Sequence, residues 1–422
     1  MKVVSYKDKK EIDKVIGRSL DLGHVFDIVR PILKDIRVNG DSAIIEYTKK
    51  FDNFDLNPGD MKIPVNKIEE AYSRVDDSLV NALKHAHRNI DKFHRGQFRQ
   101  VKKSWETETE EGVLITEKTV AIECVGAYVP GGRASYPSTV LMTCIPAKIA
   151  GVDRVVVASP PPVSPAVLVA CSLCDVDEVY QIGGVQAIAA LAYGTKTLRP
   201  VDKIIGPGNK YVLAAKLLVF GEVDIDMPAG PSEVLIIADS KANPGFISAD
   251  ILAQAEHDPD AHCVLVTDSG EIVDAVNKEI EKQIRGLGRK EVILQSLKNS
   301  CIVLTQDMGE ALEFTNSYAP EHLEIMTGDP EGIAEEVRNA GTIFLGGYAP
   351  VSAGDYASGG NHVLPTGRAA RFSSELGVKD FLRSYSIQRI SRQGLSNLRE
   401  TVKTLAEAES FDAHARAVKK RF

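Results

Sequence analysis

The 422-residue sequence has few cysteines, no long apolar run and no excess of positive charge. Its six cysteines are widely spread, which is typical of reduced thiols rather than of a disulfide framework. No stretch has the roughly 18 uninterrupted apolar residues that a membrane span needs, and the amino-terminal sequence MKVVSYKDKKEIDK lacks the apolar core of a secretion signal. A formal net charge of -8 provides no cationic field for nucleic acid or anionic lipid. We therefore expect a cytoplasmic protein that binds neither a membrane nor nucleic acid.

Three short signatures of nucleotide or metal chemistry are also missing. The sequence contains no G-x-G-x-x-G dinucleotide motif, no H-E-x-x-H zinc motif and no second Cys-x-x-Cys pair. The one close pair, Cys171 and Cys174, lies in the apolar stretch PAVLVACSLCDV, which predicts a helix. We interpret both residues as core cysteines.

What the sequence does contain is a repeated alternation of helices and strands. Between residues 146 and 226, apolar strands such as DRVVVASP alternate with helices such as VQAIAALAYGT, and the rhythm restarts at residue 231 with SEVLIIAD. Continuous apolar strands between helices predict mostly parallel sheets that are covered on both faces. We therefore predict an α/β fold with a duplicated sheet domain.

This pattern divides the chain into four predicted segments. Residues 1–120 are expected to form a mostly helical segment with connecting strands, residues 121–230 a first α/β domain and residues 231–378 a second. Residues 379–422 are charged and predict a helical tail. That tail is either a solvated helix pair or one that docks on a partner subunit.

The stretch DILAQAEHDP places polar side chains on the apolar face of a predicted helix. Asn243-Pro244-Gly245 is a helix start signal, and Ile247, Ile251 and Gln254 then fall on one stripe. His257 follows three residues after Gln254, so that its ring can converge with the amide on one point. The alternative is a hydrogen-bonded core glutamine followed by a histidine that the helix dipole stabilises.

Other polar clusters also have catalytic potential. Glu321 and His322 could act together as base and water activator, or Glu321 could belong to the first turn of a helix. Asp355, Asn361 and His362 lie in a predicted loop rich in glycine and serine, of the kind that presents functional side chains. Three further candidates also have ordinary structural explanations. Ser232 could cap a helix, and Glu409 and His414 could simply be exposed to solvent.

Two glycine-rich loops are candidates for nucleotide contact. In IIGPGNKY, Gly206 and Gly208 follow a strand and Asn209 opens a helix, so that backbone N–H groups could meet a pyrophosphate. A purely structural turn is at least as consistent with this pattern. In GAYVPGGRASYPS, Tyr128 and Arg133 are available for stacking or phosphate contact.

Taken in order, these motifs resemble those of the histidinol dehydrogenases. The resemblance runs from about residue 25 to the end of the chain. It rests on several motifs in fixed order: GAYVPGGRASYPSTVLMTCIPAKIAGV, QIGGVQAIAALAYGT, IGPGNKYV, AGPSEVLIIAD, DILAQAEHD, YAPEHLEI, GDYASGGNHVLPT and AESFDAHARAV.

The resemblance implies a fold, a reaction and a set of site residues. It implies an intertwined homodimer with two similar incomplete Rossmann-like domains, and oxidation of L-histidinol to L-histidine through L-histidinaldehyde, with two NAD+ and water, as the last step of histidine biosynthesis. Position by position, the resemblance implies four zinc ligands, namely Gln254, His257, Asp355 and, from the partner, His414. It implies Glu321 and His322 as the catalytic pair, and Ser232, His322 and Glu409, together with the zinc ligands, as substrate contacts. The implied NAD contacts are Tyr128, Gln186 and Asn209. One Zn2+ per subunit is expected.

The reaction assigns a task to each catalytic side chain. His322 is expected to remove the hydroxyl proton during the first hydride transfer and to act again in the second, while Glu321 activates water to attack the aldehyde. Zinc is expected to position histidinol rather than to activate water. The alternatives are a related dehydrogenase of another small polyol or amino alcohol, a zinc hydrolase, and a binding protein without catalysis.

Overall fold

The computed structural model describes residues 1–18, 22–131, 135–227 and 230–422. It is a mixed α/β structure with two parallel sheets and one antiparallel sheet. The strands are β1 (Lys2–Ser5), β2 (Ser104–Glu110), β3 (Val113–Ala121), β4 (Cys124–Tyr128), β5 (Arg154–Ser159), β6 (Glu178–Gln181), β7 (Lys203–Ile205), β8 (Asp224–Ile225), β9 (Glu233–Ala238), β10 (His262–Thr267), β11 (Cys301–Leu304), β12 (His322–Met326), β13 (Thr342–Leu345) and β14 (Leu382–Ile390).

The α-helices connect these strands and flank the sheets. They are α1 (Lys9–Ile16), α2 (Gly23–Asn39), α3 (Asp41–Asp52), α4 (Val65–Glu70), α5 (Asp77–Arg99), α6 (Pro137–Ala150), α7 (Pro165–Leu173), α8 (Gly184–Tyr193), α9 (Lys210–Val219), α10 (Pro244–Ala255), α11 (Gly270–Gln283), α12 (Lys290–Ser296), α13 (Met308–Tyr318), α14 (Pro330–Glu336), α15 (Val351–Tyr356), α16 (Arg392–Ala408) and α17 (Asp412–Lys419).

The two parallel sheets share one strand order. The first runs β6-β5-β4-β7-β8, and the second runs β11-β10-β9-β12-β13 with β1 added beside β11. In each set of five strands the chain starts in the middle, moves outward in one direction and then returns to the other side of the starting strand. Such a reversal leaves a crevice at the carboxyl ends of the two central strands, which is where open α/β sheets bind ligands. The α/β prediction is confirmed, whereas the domain boundaries stay predictions.

Both parallel sheets are buried because helices cover their two faces. The side chains of β9 and β12 are buried along the whole length of each strand. In the first sheet, α2, α8 and α9 pack against one face, and α5, α6 and α7 against the other. Each apolar side chain buried in this way contributes roughly 1.5–3 kcal/mol. Cys171 and Cys174 are buried free thiols on this core, as predicted.

Two strands lie where only helices were expected. β1, at the amino terminus, pairs in parallel with β11 and so extends the second sheet. β14 lies in the predicted helical tail and pairs with β3 along nine residues, from Leu382 opposite Ala121 to Ile390 opposite Val113. Only α16 and α17 follow it. No helix in the described ranges is long and apolar enough to cross a membrane.

Candidate active site

The predicted catalytic pair lies at the amino-terminal edge of the second parallel sheet. His322 is the first residue of β12, between Val234 of β9 and Thr342 of β13. Glu321 immediately precedes the strand, so the alternative of a helix first turn is wrong. Both side chains are buried, His322 at 4% and Glu321 at 5% exposure. The sheet therefore fixes the backbone of both residues in a site shielded from bulk water.

One hydrogen bond defines the state of the His322 ring. Nδ1 lies 2.9 Å from the carbonyl oxygen of Glu233, and because a carbonyl only accepts, Nδ1 carries a proton and donates it. Nε2 has no hydrogen-bond partner among the described residues, and Oδ1 of Asp355 lies 3.7 Å from it. The ring thus presents Nε2 as its one free nitrogen.

Buried carboxylates control the charge of this histidine. Burial by itself lowers the pKa of His322, but the charges of Glu321 and Asp355 outweigh it and raise the pKa well above its ordinary value. Burial also raises the pKa of Glu321, against the opposing effect of His322. Oε2 of Glu321 accepts the backbone N–H of Glu233 at 2.6 Å and lies 3.5 Å from Nδ1 of His322. The pair is therefore coupled through both charge and the backbone of Glu233.

A cavity opens beside the His322 ring. Its lining includes His322, Thr342, Phe344, Asp355 and His362. Asp355 lies on the short helix α15 rather than in the predicted loop, whereas His362 lies in the loop that follows. Nδ1 of His362 donates to the carbonyl oxygen of Asp355 at 2.9 Å, and burial lowers the pKa of His362. His362 is therefore a neutral ring in the cavity wall, next to the carboxylate of Asp355.

Gln254 satisfies the prediction of an inward-facing polar residue. It lies on α10, which begins with the capping side chain of Asn243 and shares its buried face with Ile247 and Ile251. Its side chain is 2% exposed, and neither its oxygen nor its nitrogen has a hydrogen-bond partner within the described part of the chain. An unpaired buried amide costs roughly 1–3 kcal/mol, so the alternative of a satisfied core glutamine is not supported.

The other predicted ligands are placed differently. His257 lies in the turn after α10 and is exposed, so it does not share the buried face of Gln254. Ser232 is half-buried beside β9 and caps no helix. Glu409 and His414 are exposed on the α16–α17 pair. No cluster of three or more His, Cys, Asp or Glu side chains suited to a metal ion occurs among the described residues.

The three predicted NAD contacts surround the carboxyl end of the first sheet. Tyr128 ends β4 and is buried, with its hydroxyl oxygen accepting the backbone N–H of Gly184 at 3.1 Å, and burial raises its pKa to about 12. Gln186 on α8 is buried, its Nε2 donates to Asp52 at 3.1 Å, and its Oε1 has no partner among described residues. Asn209 is exposed at the start of α9, directly after β7.

The backbone of IIGPGNKY favours the structural turn over a direct anion site. The N–H of Gly206 donates to Asp226 at 2.7 Å, and the N–H groups of Tyr211 and Val212 donate to Oδ1 of Asn209 at 3.0 and 3.2 Å. The first donors that a pyrophosphate would use are therefore bound within the chain. Arg133 lies outside the described residues.

The sequence interpretation missed a buried pair of acids beneath the catalytic strand. Glu324 follows His322 by two residues on β12 and therefore lies on the same face, and Asp250 precedes Gln254 by one turn of α10. Each carboxyl group affects the pKa of the other, and Oε1 of Glu324 accepts the N–H of Val351 at 2.9 Å. Because burial raises the pKa of both acids, we expect the pair to keep a shared proton between β12 and α10. Both spacings were visible in the sequence.

This acid pair predicts a pH dependence of stability. Burial, together with the charge of Asp250, raises the pKa of Glu324 to about 8, above the roughly 4.3 of an unfolded chain. The stabilising proton is thus bound in full below the unfolded pKa and is lost as the pH rises through about 8. Between pH 5 and 9, wild type should lose roughly 1–3 kcal/mol of unfolding free energy that Glu324→Gln retains.

Urea unfolding at both pH values measures this difference. Glu335→Gln, which removes an exposed carboxylate of α14, is the matched control and should follow wild type. Parallel pH profiles for wild type and Glu324→Gln would contradict the shared proton.

Comparison with known proteins decides the family. The profile of histidinol dehydrogenases matches residues 17–422. The chain is 47% identical to the histidinol dehydrogenase of Methanocaldococcus jannaschii, over 100% of this chain and 98% of that protein. It is 48% identical to the one of Methanothermobacter thermautotrophicus, over 100% and 99%. The crystal structure of histidinol dehydrogenase from Elizabethkingia anophelis superimposes with a TM-score of 0.92 at 39% identity, covering 100% of this chain and 98% of that one. The chain belongs to the histidinol dehydrogenase family.

Family membership decides between the classes of function that the sequence left open. Histidinol dehydrogenases are NAD-dependent oxidoreductases of histidine biosynthesis, and the resemblance seen in the motifs is confirmed. A zinc hydrolase, a binding protein without catalysis and a dehydrogenase of another small alcohol are not favoured.

Proposed function

We propose that this chain oxidises L-histidinol to L-histidine in two NAD+-dependent steps, with His322 and Glu321 as its catalytic residues. The observation that carries the proposal is the His322 ring, which is buried at the sheet edge. Its Nδ1 donates to Glu233, and its Nε2 lies beside the cavity with no hydrogen-bond partner in the part of the chain that the structure describes. A base held in one tautomer and aimed at a concave site fits proton removal from an alcohol.

Gln254 and Asp355 fit a zinc site. Both buried amide atoms of Gln254 lack a hydrogen-bond partner among the described residues, and Asp355 presents a buried carboxylate to the same cavity as His322. With His257 and the partner's His414, they would supply the oxygen and nitrogen donor set that suits zinc. When bound, Zn2+ would supply a positive charge that orients histidinol through its nitrogen atoms. Ser232 and Glu409 are the further substrate contacts in this proposal.

The chemistry falls to the two buried side chains. Once the ring is neutral, Nε2 of His322 takes the hydroxyl proton as the alcohol carbon loses hydride to NAD+. It returns this proton to the aldehyde oxygen as water adds, and it takes a proton again when the hydrate loses hydride to a second NAD+. Between these steps, the carboxylate of Glu321 removes a proton from the water that attacks the aldehyde carbon. Because Glu321 and Asp355 both raise the pKa of His322, its proton affinity falls when either carboxylate is otherwise engaged.

We place NAD+ in the crevice at the carboxyl ends of β4 and β7. This crevice is the point at which the strand order of the first sheet reverses. Tyr128 ends β4, Asn209 follows β7, and Gln186 has a buried oxygen with no partner among the residues described. These three residues would hold the dinucleotide, which supplies the hydride acceptor in both oxidations.

A histidinol-dependent NADH assay tests the proposal. We expect absorbance at 340 nm to rise with L-histidinol and NAD+, to disappear after chelation of the metal and to return when zinc is restored. Two molecules of NADH should form for each molecule of histidine. Activity that survives complete metal removal would contradict the zinc site, and absence of NADH with histidinol would contradict the function.

We further propose a homodimer in which the α16–α17 pair reaches the partner's active site. In the single chain, Glu409 and His414 are exposed, and so are the apolar side chains of Leu405, Phe411 and Phe422 around them. Exposed apolar residues concentrated on terminal helices favour contact with a second surface. The proposal makes His414 a ligand in trans.

Mixing two inactive variants tests this sharing. His414→Ala removes the donated ligand, and His322→Ala removes the base, so each homodimer should be inactive. Mixed dimers have one site with both residues intact, and random reassociation should restore about one quarter of wild-type activity. Recovery after unfolding and refolding the mixture is the measurement. A mixture as inactive as its parents would show that His414 acts on its own chain or not at all.

A further inference from the structure

Glu233, the first residue of β9, contacts both catalytic side chains through its backbone. Its N–H donates to Oε2 of Glu321 at 2.6 Å, and its carbonyl oxygen accepts the Nδ1 proton of His322 at 2.9 Å. Any rotation of this one residue therefore moves the partners of both catalytic groups together.

The side chain of Glu233 is held by Arg18. Nε of Arg18 donates to Oε1 at 2.7 Å and Nη2 donates to Oε2 at 2.7 Å, so the guanidinium grips the carboxylate with two parallel bonds. The N–H of Gly367 adds a bond to Oε1 at 3.1 Å. The Arg18 side chain is 7% exposed and the Glu233 side chain 3%. This is a buried ion pair.

Arg18 also holds the segment that leads into Glu321. Nη2 donates to the carbonyl oxygen of Tyr318 at 3.0 Å, and the guanidinium lies over the Tyr318 ring at 3.3 Å from its centroid. Tyr318 ends α13, three residues before Glu321. The guanidinium of Arg18 thus links the start of β9 to the end of α13. The catalytic pair follows α13 in the chain and is hydrogen-bonded to the first residue of β9.

We infer that Arg18 is a positioning residue for the catalytic pair, an assignment that rests on the proposed function. Arg18 does not line the cavity beside His322, so it acts through Glu233 and Tyr318 rather than on the substrate. A buried ion pair roughly breaks even in stability against apolar side chains of similar size, so folding alone does not account for it. We therefore assign to the ion pair the task of orienting Glu233.

Three variants test this role by steady-state kinetics on the zinc-loaded dimer. Arg18→Lys keeps the charge but loses the two-bond grip, and Arg18→Ala leaves a space that methylguanidinium fits. The double variant Arg18→Met with Glu233→Met removes both charges at similar volume, so it folds without a buried unpaired carboxylate. Arg37→Ala, which breaks the exposed pair of Arg37 and Glu222, is the matched control.

We expect kcat to fall about 10- to 100-fold in Arg18→Lys and in the double variant, because misplacement of reacting groups by about 1 Å has that effect. KM for histidinol should change less than about threefold, since the substrate-binding side chains remain. Added methylguanidinium should raise kcat of Arg18→Ala and leave Arg37→Ala unchanged.

Two results would overturn the inference. One is kcat within about threefold of wild type in both Arg18→Lys and the double variant. The other is a change confined to KM, which would make Arg18 a binding residue. If Arg18→Ala does not fold, Arg18→Lys and the double variant still decide the question. Wild type assayed in parallel separates the two proposals, because an inactive wild type contradicts the proposed function itself.

Discussion

Replacing His322 with asparagine lowers kcat about 10²- to 10⁴-fold, the range that general acid–base catalysis contributes. The amide nitrogen of asparagine can still donate to the carbonyl oxygen of Glu233, as Nδ1 of His322 does at 2.9 Å. What the variant lacks is Nε2, the atom beside the cavity. Loss of kcat with the hydrogen bond retained therefore isolates proton transfer from support of the sheet edge.

Both oxidations should slow in this variant, because the proposal gives His322 a proton to remove in each. Rapid-mixing measurements with L-histidinol and with L-histidinaldehyde report the two steps separately. His85→Asn is the matched control, since His85 is an exposed histidine of α5 that does not line the cavity. A His322→Asn enzyme with near-normal turnover would remove His322 from the mechanism.

Much of this scaffold was predictable from the sequence because its strands are continuously apolar. The apolar stretch SEVLIIAD and the similar stretches after it predicted the second parallel sheet. The spacing of Gln254 from Ile247 and Ile251 predicted that Gln254 lies on the buried face of its helix. These signals are local, since helix and strand periods are properties of a few consecutive residues. The order of strands depends on contacts between distant parts of the chain. Only the structure showed that both parallel sheets have the same strand order.

The missed strands have sequences that no apolar pattern distinguishes. β14 is exposed for most of its nine residues, so its pairing with β3 leaves no buried face to read. β1 has four residues and finds its partner, β11, about 300 positions away. Helix α15 was expected as a loop because its six residues, VSAGDY, have weak helix propensity. Contacts distant in sequence decide all three.

The residues of the site were predicted from residue types and motifs, but the residues that hold them in position were not. Arg18, Glu233 and Tyr318 come from three distant parts of the chain, and nothing in the local sequence relates one to another. The acid pair of Glu324 and Asp250 differs, because each residue shares a face with a predicted site residue. A search for buried acids at those spacings would have found it.

Glu321→Gln should separate the two oxidations. The glutamine oxygen can still accept the N–H of Glu233, which Oε2 of Glu321 accepts at 2.6 Å, so the geometry of the pair is retained. The amide cannot remove a proton from water. Conversion of the aldehyde to histidine should therefore fall about 10²- to 10⁴-fold, whereas conversion of histidinol to the aldehyde should fall less than about tenfold.

The smaller effect on the first step has its own cause. Loss of the Glu321 charge removes one of the two carboxylates that raise the pKa of His322, so the histidine becomes a weaker base but is neutral over a wider pH range. Single-turnover NADH formation from each substrate, with an aldehyde trap in the first case, measures both rates. Glu331→Gln, an exposed carboxylate on α14, should leave both unchanged. Equal losses in the two half-reactions would mean that Glu321 shapes the site without activating water, and the water would then need another base within reach of the cavity.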